Sequence, residues 1–88
     1  MLSELSDRQA VWDQVLAGVA ELKPDVEDLA DQSALASDGV LDSFDVILIV
    51  GQFEDAFGVK IPGSEIVPEA FDSIEAMVDL VLRNRGVA

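Results

Sequence analysis

The chain contains no cysteine, histidine, tyrosine or threonine. Without cysteine there is no disulfide frame, no thiolate nucleophile and no cysteine-ligated metal. Without histidine there is neither a Ser-His dyad nor a zinc site of the usual kind. Basic residues are scarce: five Lys and Arg face 18 Asp and Glu, for a formal net charge of −13. Phosphate backbones select Lys and Arg, so this balance argues against nucleic acid, and equally against anionic membrane surfaces. It favours basic protein partners, met faster at low salt. A self-sufficient hydrolase needs a base beside its nucleophile, and only carboxylates are on offer. No catalytic residue and no metal site is therefore assigned. Long apolar runs are also missing. The longest, residues 46–51, is far too short to span a membrane, and no basic, apolar segment precedes the first expected helix. The expectation is a soluble, cytoplasmic monomer.

What is present fits one small folded unit, spanning residues 1–88 with a folded core of about 6–85. Half of the residues are hydrophobic, and the mean hydropathy is +0.32, which argues against disorder despite the charge. The apolar spacing predicts a helix from about Ser6 to Leu22, with Ser6 and Gln9 spaced as a capping box. Leu5, Trp12, Val15, Leu16, Val19 and Leu22 share its inner face. Residues 23–42 are acidic and irregular, with one helical turn expected near Val26, Leu29 and Ala30 and with Leu35, Val40 and Leu41 as anchors. A second helix is expected over Ser43–Phe57, closed by Gly58, with Val46, Ile49, Val50, Phe53 and Phe57 as its core stripe. An extended connector over 59–63 and a short turn within 64–71, interrupted by Pro68, lead to a last helix over about Ser73–Arg85. Asp72 and Glu75 are spaced as its capping pair, Arg83 and Arg85 suit its dipole, and Gly86 closes it. These elements make an all-α fold, a small antiparallel bundle with a long loop between the first two helices.

The stretch Gly39-Val40-Leu41-Asp42-Ser43-Phe44-Asp45 is the most informative. Asp42 is placed to cap the second helix, which holds Ser43 outward in the first turn. Capping alone is a sufficient reason for a serine near a helix start, and an acidic helical adaptor whose Ser43 only caps is one reading. The helix behind it is apolar on two faces. Phe44 and Leu48, at i and i+4, point away from the core stripe together with Gly51 and Asp55. Such a face is either covered by the neighbouring loop or left open as a docking patch. Gly51 favours the patch, since a mid-helix glycine costs about 1 kcal/mol against alanine and usually reflects a close approach. Asp38, Asp42 and Asp45 do not make a calcium loop: aligning Gly39 with the loop glycine puts Ala34 and Ala36 at ligand positions.

Gly39-x-x-Asp42-Ser43-Phe44-Asp45, followed by Phe53-Glu54-Asp55-Ala56-Phe57-Gly58-Val59-Lys60-Ile61-Pro62, resembles the acyl carrier protein family. The resemblance extends through Phe71-Asp72-Ser73-Ile74-Glu75-Ala76 and covers roughly residues 6–84. It implies a four-helix bundle of three longer helices and one short one, in which residues 66–71 form the short third helix. It implies that Ser43 carries a covalent 4′-phosphopantetheine arm, installed by a separate phosphopantetheinyl transferase from coenzyme A with magnesium. The arm's thiol then holds acyl groups as thioesters. That suits a chain with no cysteine and no histidine, because the serine need not be activated from within. The implied partners are acyl or aminoacyl ligases and acyl-transferring or condensing enzymes with basic docking surfaces, as in fatty acid or polyketide biosynthesis.

Two departures bear on those partners. Many fatty-acid carriers have an acid where this chain has Leu48, which leaves Asp45, Glu54 and Asp55 as the acidic recognition set on this helix. Docking is therefore expected through Asp42, Phe44, Asp45, Leu48, Glu54 and Asp55, with more apolar contact than usual. Peptidyl carriers usually have glycine directly before the modified serine, whereas this chain has Asp42. That sides with free-standing acyl carriers or with aminoacyl carriers of the D-alanyl type.

Overall fold

The computed structural model describes residues 2–85, with side chains from Asp7 onward. Three α-helices and three single 3₁₀ turns follow one another, and no strand occurs among the described residues. Helix α1 runs over Leu2–Leu22, α2 over Ser43–Phe57 and α3 over Ile74–Arg85. The 3₁₀ turns lie at Leu29–Asp31, Gly63–Glu65 and Pro68–Phe71. The radius of gyration is 12.3 Å, close to the ~12 Å expected of a globule of this length, so the charge does not swell the fold.

Helix α1 begins at Leu2, which puts Ser6 inside the helix rather than at its cap. The expected inward position of Leu5 lies outside the described side chains. Val11, Val15 and Val19 are buried, Trp12, Leu16 and Leu22 half-buried, and Asp13, Gln14, Ala17 and Glu21 face water, as a period of 3.6 requires. Arg8 pairs with Glu75 and Asp79, and Asp7 with Arg85, which zips the start of α1 along α3. Lys23 meets Asp45 at one end of α1, and Gly18 lies against Gln52 further back, so α1 and α2 run antiparallel.

Helix α2 has the limits its caps dictate. Asp42 and Asp45 form a reciprocal capping box, and Gly58 adopts the left-handed conformation at φ 65° while its N–H donates to the Glu54 carbonyl. Its inner face buries Ile49 and Phe53, and the Phe53 and Phe57 rings meet edge-on with centroids 6.1 Å apart. Leu29, Leu35, Leu41, Val59, Ile61 and Phe71 come from the connections and complete the core with Ile74, Met77, Val78, Leu80 and Val81 of α3.

Two local expectations are corrected. Asp72 does not cap α3. It has helical backbone angles, φ −77° and ψ −22°, and a capping residue needs an extended backbone. The cap is Ser73, whose Oγ accepts the Ala76 N–H at 3.0 Å. Asp72 instead turns back to the loop before α2, where its carboxylate accepts the N–H groups of Ala36 and Ser37 and the Ser37 hydroxyl, at 2.7–3.0 Å. Pro68 does not interrupt a turn within 64–71. It opens the second of two 3₁₀ turns, a position where its missing N–H goes unneeded, and residues 66–71 hold no α-helix. Gly86 lies outside the described residues.

Candidate functional site

The site is built where the α1–α2 connection ends. The Leu41 N–H donates to the Leu35 carbonyl at 2.8 Å, and both side chains are buried, which closes residues 35–41 into a compact loop. Gly39 sits in that loop at φ 82°, a backbone shape that L residues rarely adopt. The chain then extends through Asp42, at φ −90° and ψ −179°, and turns into α2 at Ser43. Ser43 is exposed and occupies the first helical position.

The first turn is braced twice. The Asp42 carboxylate accepts the Asp45 N–H at 2.8 Å, and the Asp45 carboxylate accepts the Asp42 N–H at 3.2 Å. Lys23 reaches across from the end of α1 to place its Nζ 2.8 Å from Asp45 Oδ2. That ammonium holds the Asp45 carboxyl below the ordinary carboxylate range, against the opposing effect of burial, and the Asp42 N–H adds to the shift. In return the bond to Asp45 raises the Lys23 pKa above its ordinary value. Helix geometry leaves the N–H groups of Ser43 and Phe44 without intrahelical acceptors, so they remain for a ligand or for water.

A groove of about 470 Å³ opens beside Ser43. Leu41, Val46 and Ile47 form one wall, and Ile66 and Val67, between two 3₁₀ turns, with Pro68, which opens the second, form the other. Asp72, just after the second of these turns, ties that segment to the loop by accepting the N–H groups of Ala36 and Ser37.

Beyond Ser43 the outer face of α2 is open. Phe44 is 67 % exposed, Ile47 63 % and Leu48 39 %, so the loop covers none of them as core. Gly51 and Asp55 are exposed on the same side. No atom lies within 4 Å of where a Gly51 Cβ would stand, so its expected close approach does not occur within the chain. The acids divide. Asp42 and Asp55 are exposed, whereas Glu54 is half-buried and accepts the Ile61 N–H at 3.1 Å. Asp45 was expected at the surface and is instead buried, because capping and Lys23 hold it inward.

Sequence reasoning missed Ile47, Val67 and Lys23. Ile47 carried a signal: it lies three residues from Phe44 and so shares its face. Val67 and Lys23 carried none, since each reaches the site from a separate element.

A family model described as a phosphopantetheine attachment site matches residues 13–81. The chain therefore belongs to that family, whose members are acyl and peptidyl carriers rather than enzymes. No curated protein and no solved structure matches it significantly. The family's prosthetic group is covalent 4′-phosphopantetheine, and its members meet a phosphopantetheinyl transferase and acyl-handling enzymes. The residues here fit such a group: an exposed hydroxyl, two free N–H groups to face a phosphodiester, and an apolar groove alongside.

Proposed function

We propose that Ser43 is the attachment residue and that the chain is an acyl carrier, holding acyl groups and presenting them to successive enzymes. The observation that carries this reading is the exposed Ser43 at the mouth of an apolar groove. In the loading step Ser43 Oγ bonds to the pantetheine-side phosphorus of coenzyme A, and 3′,5′-adenosine diphosphate leaves with the electrons of the broken P–O bond. The serine proton passes to a base of the transferase, because this chain has no histidine to take it. The free N–H groups at the start of α2 and the helix dipole favour the resulting phosphodiester anion. The arm supplies the thiol on which cargo rides as a thioester. Val46, Ile47, Ile66 and Val67 offer apolar surface to a chain bound there, which favours an acyl cargo over a polar aminoacyl one.

The outer face of α2 is the docking surface in this proposal. Phe44, Ile47 and Leu48 give partners an apolar anchor, and Asp42 and Asp55 give charge at its two ends. The family resemblance puts a short helix over residues 66–71, and in this reading the 3₁₀ turn Pro68–Phe71 takes that helix's part beside the three longer ones.

Incubating the apo chain with coenzyme A, magnesium and a broad transferase should add one arm, mapped to Ser43 by mass spectrometry. Ser43→Ala should gain nothing; modification persisting in it overturns the assignment. Acyl-loaded forms should then melt higher with increasing chain length until the groove is filled, since a ligand bound only to the folded state stabilises it. A melting temperature independent of chain length favours the aminoacyl reading.

A further inference from the structure

We infer that Lys23 is a positioning residue for Ser43, fixing the first turn of α2 through its contact with the carboxylate of Asp45. The inference rests on Ser43 being the attachment residue. Asp45 is the one buried charged residue among those described, at 8 % exposure, and it lies two positions from Ser43. Burying a carboxylate is unfavourable unless it is paired, and a capping box does not itself require burial. The carboxylate of Asp45 is 11 % exposed, whereas the acids in the other ion pairs among the described residues are 28–70 % exposed. Removing charges of this kind in favour of apolar packing is often neutral for stability, so the pair is better explained by the geometry it fixes.

That geometry surrounds the serine. Asp42 and Asp45 each accept the other's N–H, closing a ring with Ser43 and Phe44 between them. Lys23 ties the ring to a second element. Its own N–H donates to the Val19 carbonyl at 2.8 Å, so its backbone is held as a continuation of α1. The ammonium thus approaches from a fixed direction and prevents the ring from rotating about the helix axis. Its charge acts too. Asp42 and Asp45 flank the hydroxyl that must meet the anionic diphosphate of coenzyme A, and Lys23 offsets one of the two negative charges. One of only five basic residues in the chain is committed here.

The test compares the apo chain with its Lys23→Met, Lys23→Gln, Lys23→Arg and Ser43→Ala variants. Each is loaded from coenzyme A and magnesium by one transferase and followed by intact mass. Lys23→Met should lower kcat/KM for the carrier by about tenfold, mainly in kcat because the docking face is untouched. Lys23→Gln, a donor without charge, should fall between, and Lys23→Arg should restore the rate to within about threefold. Amide exchange of Asp45 and Val46 should quicken in Lys23→Met, while Val78 and Val81 of α3 keep their protection. An unchanged rate in Lys23→Met, no rescue by arginine, or equal loss of protection throughout α3 overturns the inference. If Lys23→Met does not fold, Lys23→Gln at the wild-type rate overturns it. Failure of the underlying reading looks different: the wild-type chain gains no arm, or Ser43→Ala still gains one.

Discussion

The two faces of α2 are made of the same kinds of residue and meet opposite fates. Ile49 and Phe53 on the inner face are 0 % and 2 % exposed, while Phe44 and Ile47 on the outer face are 67 % and 63 % exposed. Hydrophobicity therefore does not distinguish core from surface in this helix; position around the axis does. The inner face is covered by α1 and α3. The outer face meets the segment from Ile66 to Pro68 across the groove only at Ile47, and Phe44 and Leu48 do not line that groove. An exposed apolar patch on a small, highly charged protein is a marker of contact with something else. In the proposed reading α2 serves two purposes at once, one side to hold the fold and the other to meet partners.

The comparison breaks most easily by truncation. Phe53→Ala should cost about 3–5 kcal/mol, enough to unfold a domain whose whole stability is of similar size. Leu48→Ala should cost under ~1 kcal/mol, as exposed sites do. Urea melts of the two variants give the contrast directly. Leu48→Glu sharpens it, since a buried glutamate is costly and an exposed one is not. A Leu48→Glu chain that melts normally but is loaded or used at a changed rate supports the docking face. One that fails to fold puts Leu48 in the core.

How much of this was legible beforehand follows the same division. The limits of α2 were readable because both ends carry local signals, Asp42 at one and Gly58 at the other. Ser43 stood out as the candidate because Asp-Ser-Phe-Asp is contiguous. The inward fate of Asp45 was not, because it depends on Lys23, 22 positions away in the sequence. Asp72 misled for a related reason. Asp72 and Glu75 have the spacing of a cap, but Ser73 is an equally good capping residue one position later. The choice between them was settled by what else Asp72 can bind, the N–H groups of Ala36 and Ser37. Start and stop signals within one element were visible, and contacts between elements were not.

Asp72 gives the next prediction, in the loop anchor before α2 rather than on either face. Partial burial pushes its pKa up, but the hydroxyl and N–H of Ser37 and the N–H of Ala36 outweigh that, and the net shift is below the ordinary 3.8. Asp45 is shifted the same way. With depressed folded values, the unfolded chain binds these protons first on acidification. Their stabilisation is therefore present above about pH 3.8 and lost as pH falls through the lower folded values. Mild acid also reduces the net charge of −13 and so relieves repulsion. Stability should thus rise into mild acid and then fall below pH 3.8. Asp72→Ala should lose about 1–2 kcal/mol at pH 7 and show a shallower acid fall. Urea midpoints across pH 3–7 test both signs, and an equally steep acid fall in Asp72→Ala counts against the loop anchor.

The smallest effect separates the two chemistries of the outer face. Asp55 is exposed and lies just under two turns beyond Leu48, so in this reading it acts on partners through the field rather than through packing. Asp55→Asn should leave stability within about 0.5 kcal/mol and slow association with a basic transferase by about twofold at low salt. The loss should vanish near 0.5 M salt, where screening shortens the reach of any exposed charge. Leu48→Ala should slow the same association by an amount that salt does not remove, because apolar contact is not screened. Stopped-flow association rates for both variants at two ionic strengths provide the test. If Leu48→Ala is salt-sensitive and Asp55→Asn is not, the outer face works in the reverse way. If neither variant changes the rate, partners dock elsewhere. Glu54 serves as the internal control: its carboxylate is already engaged by the Ile61 N–H, so Glu54→Gln should alter the rate less than Asp55→Asn does.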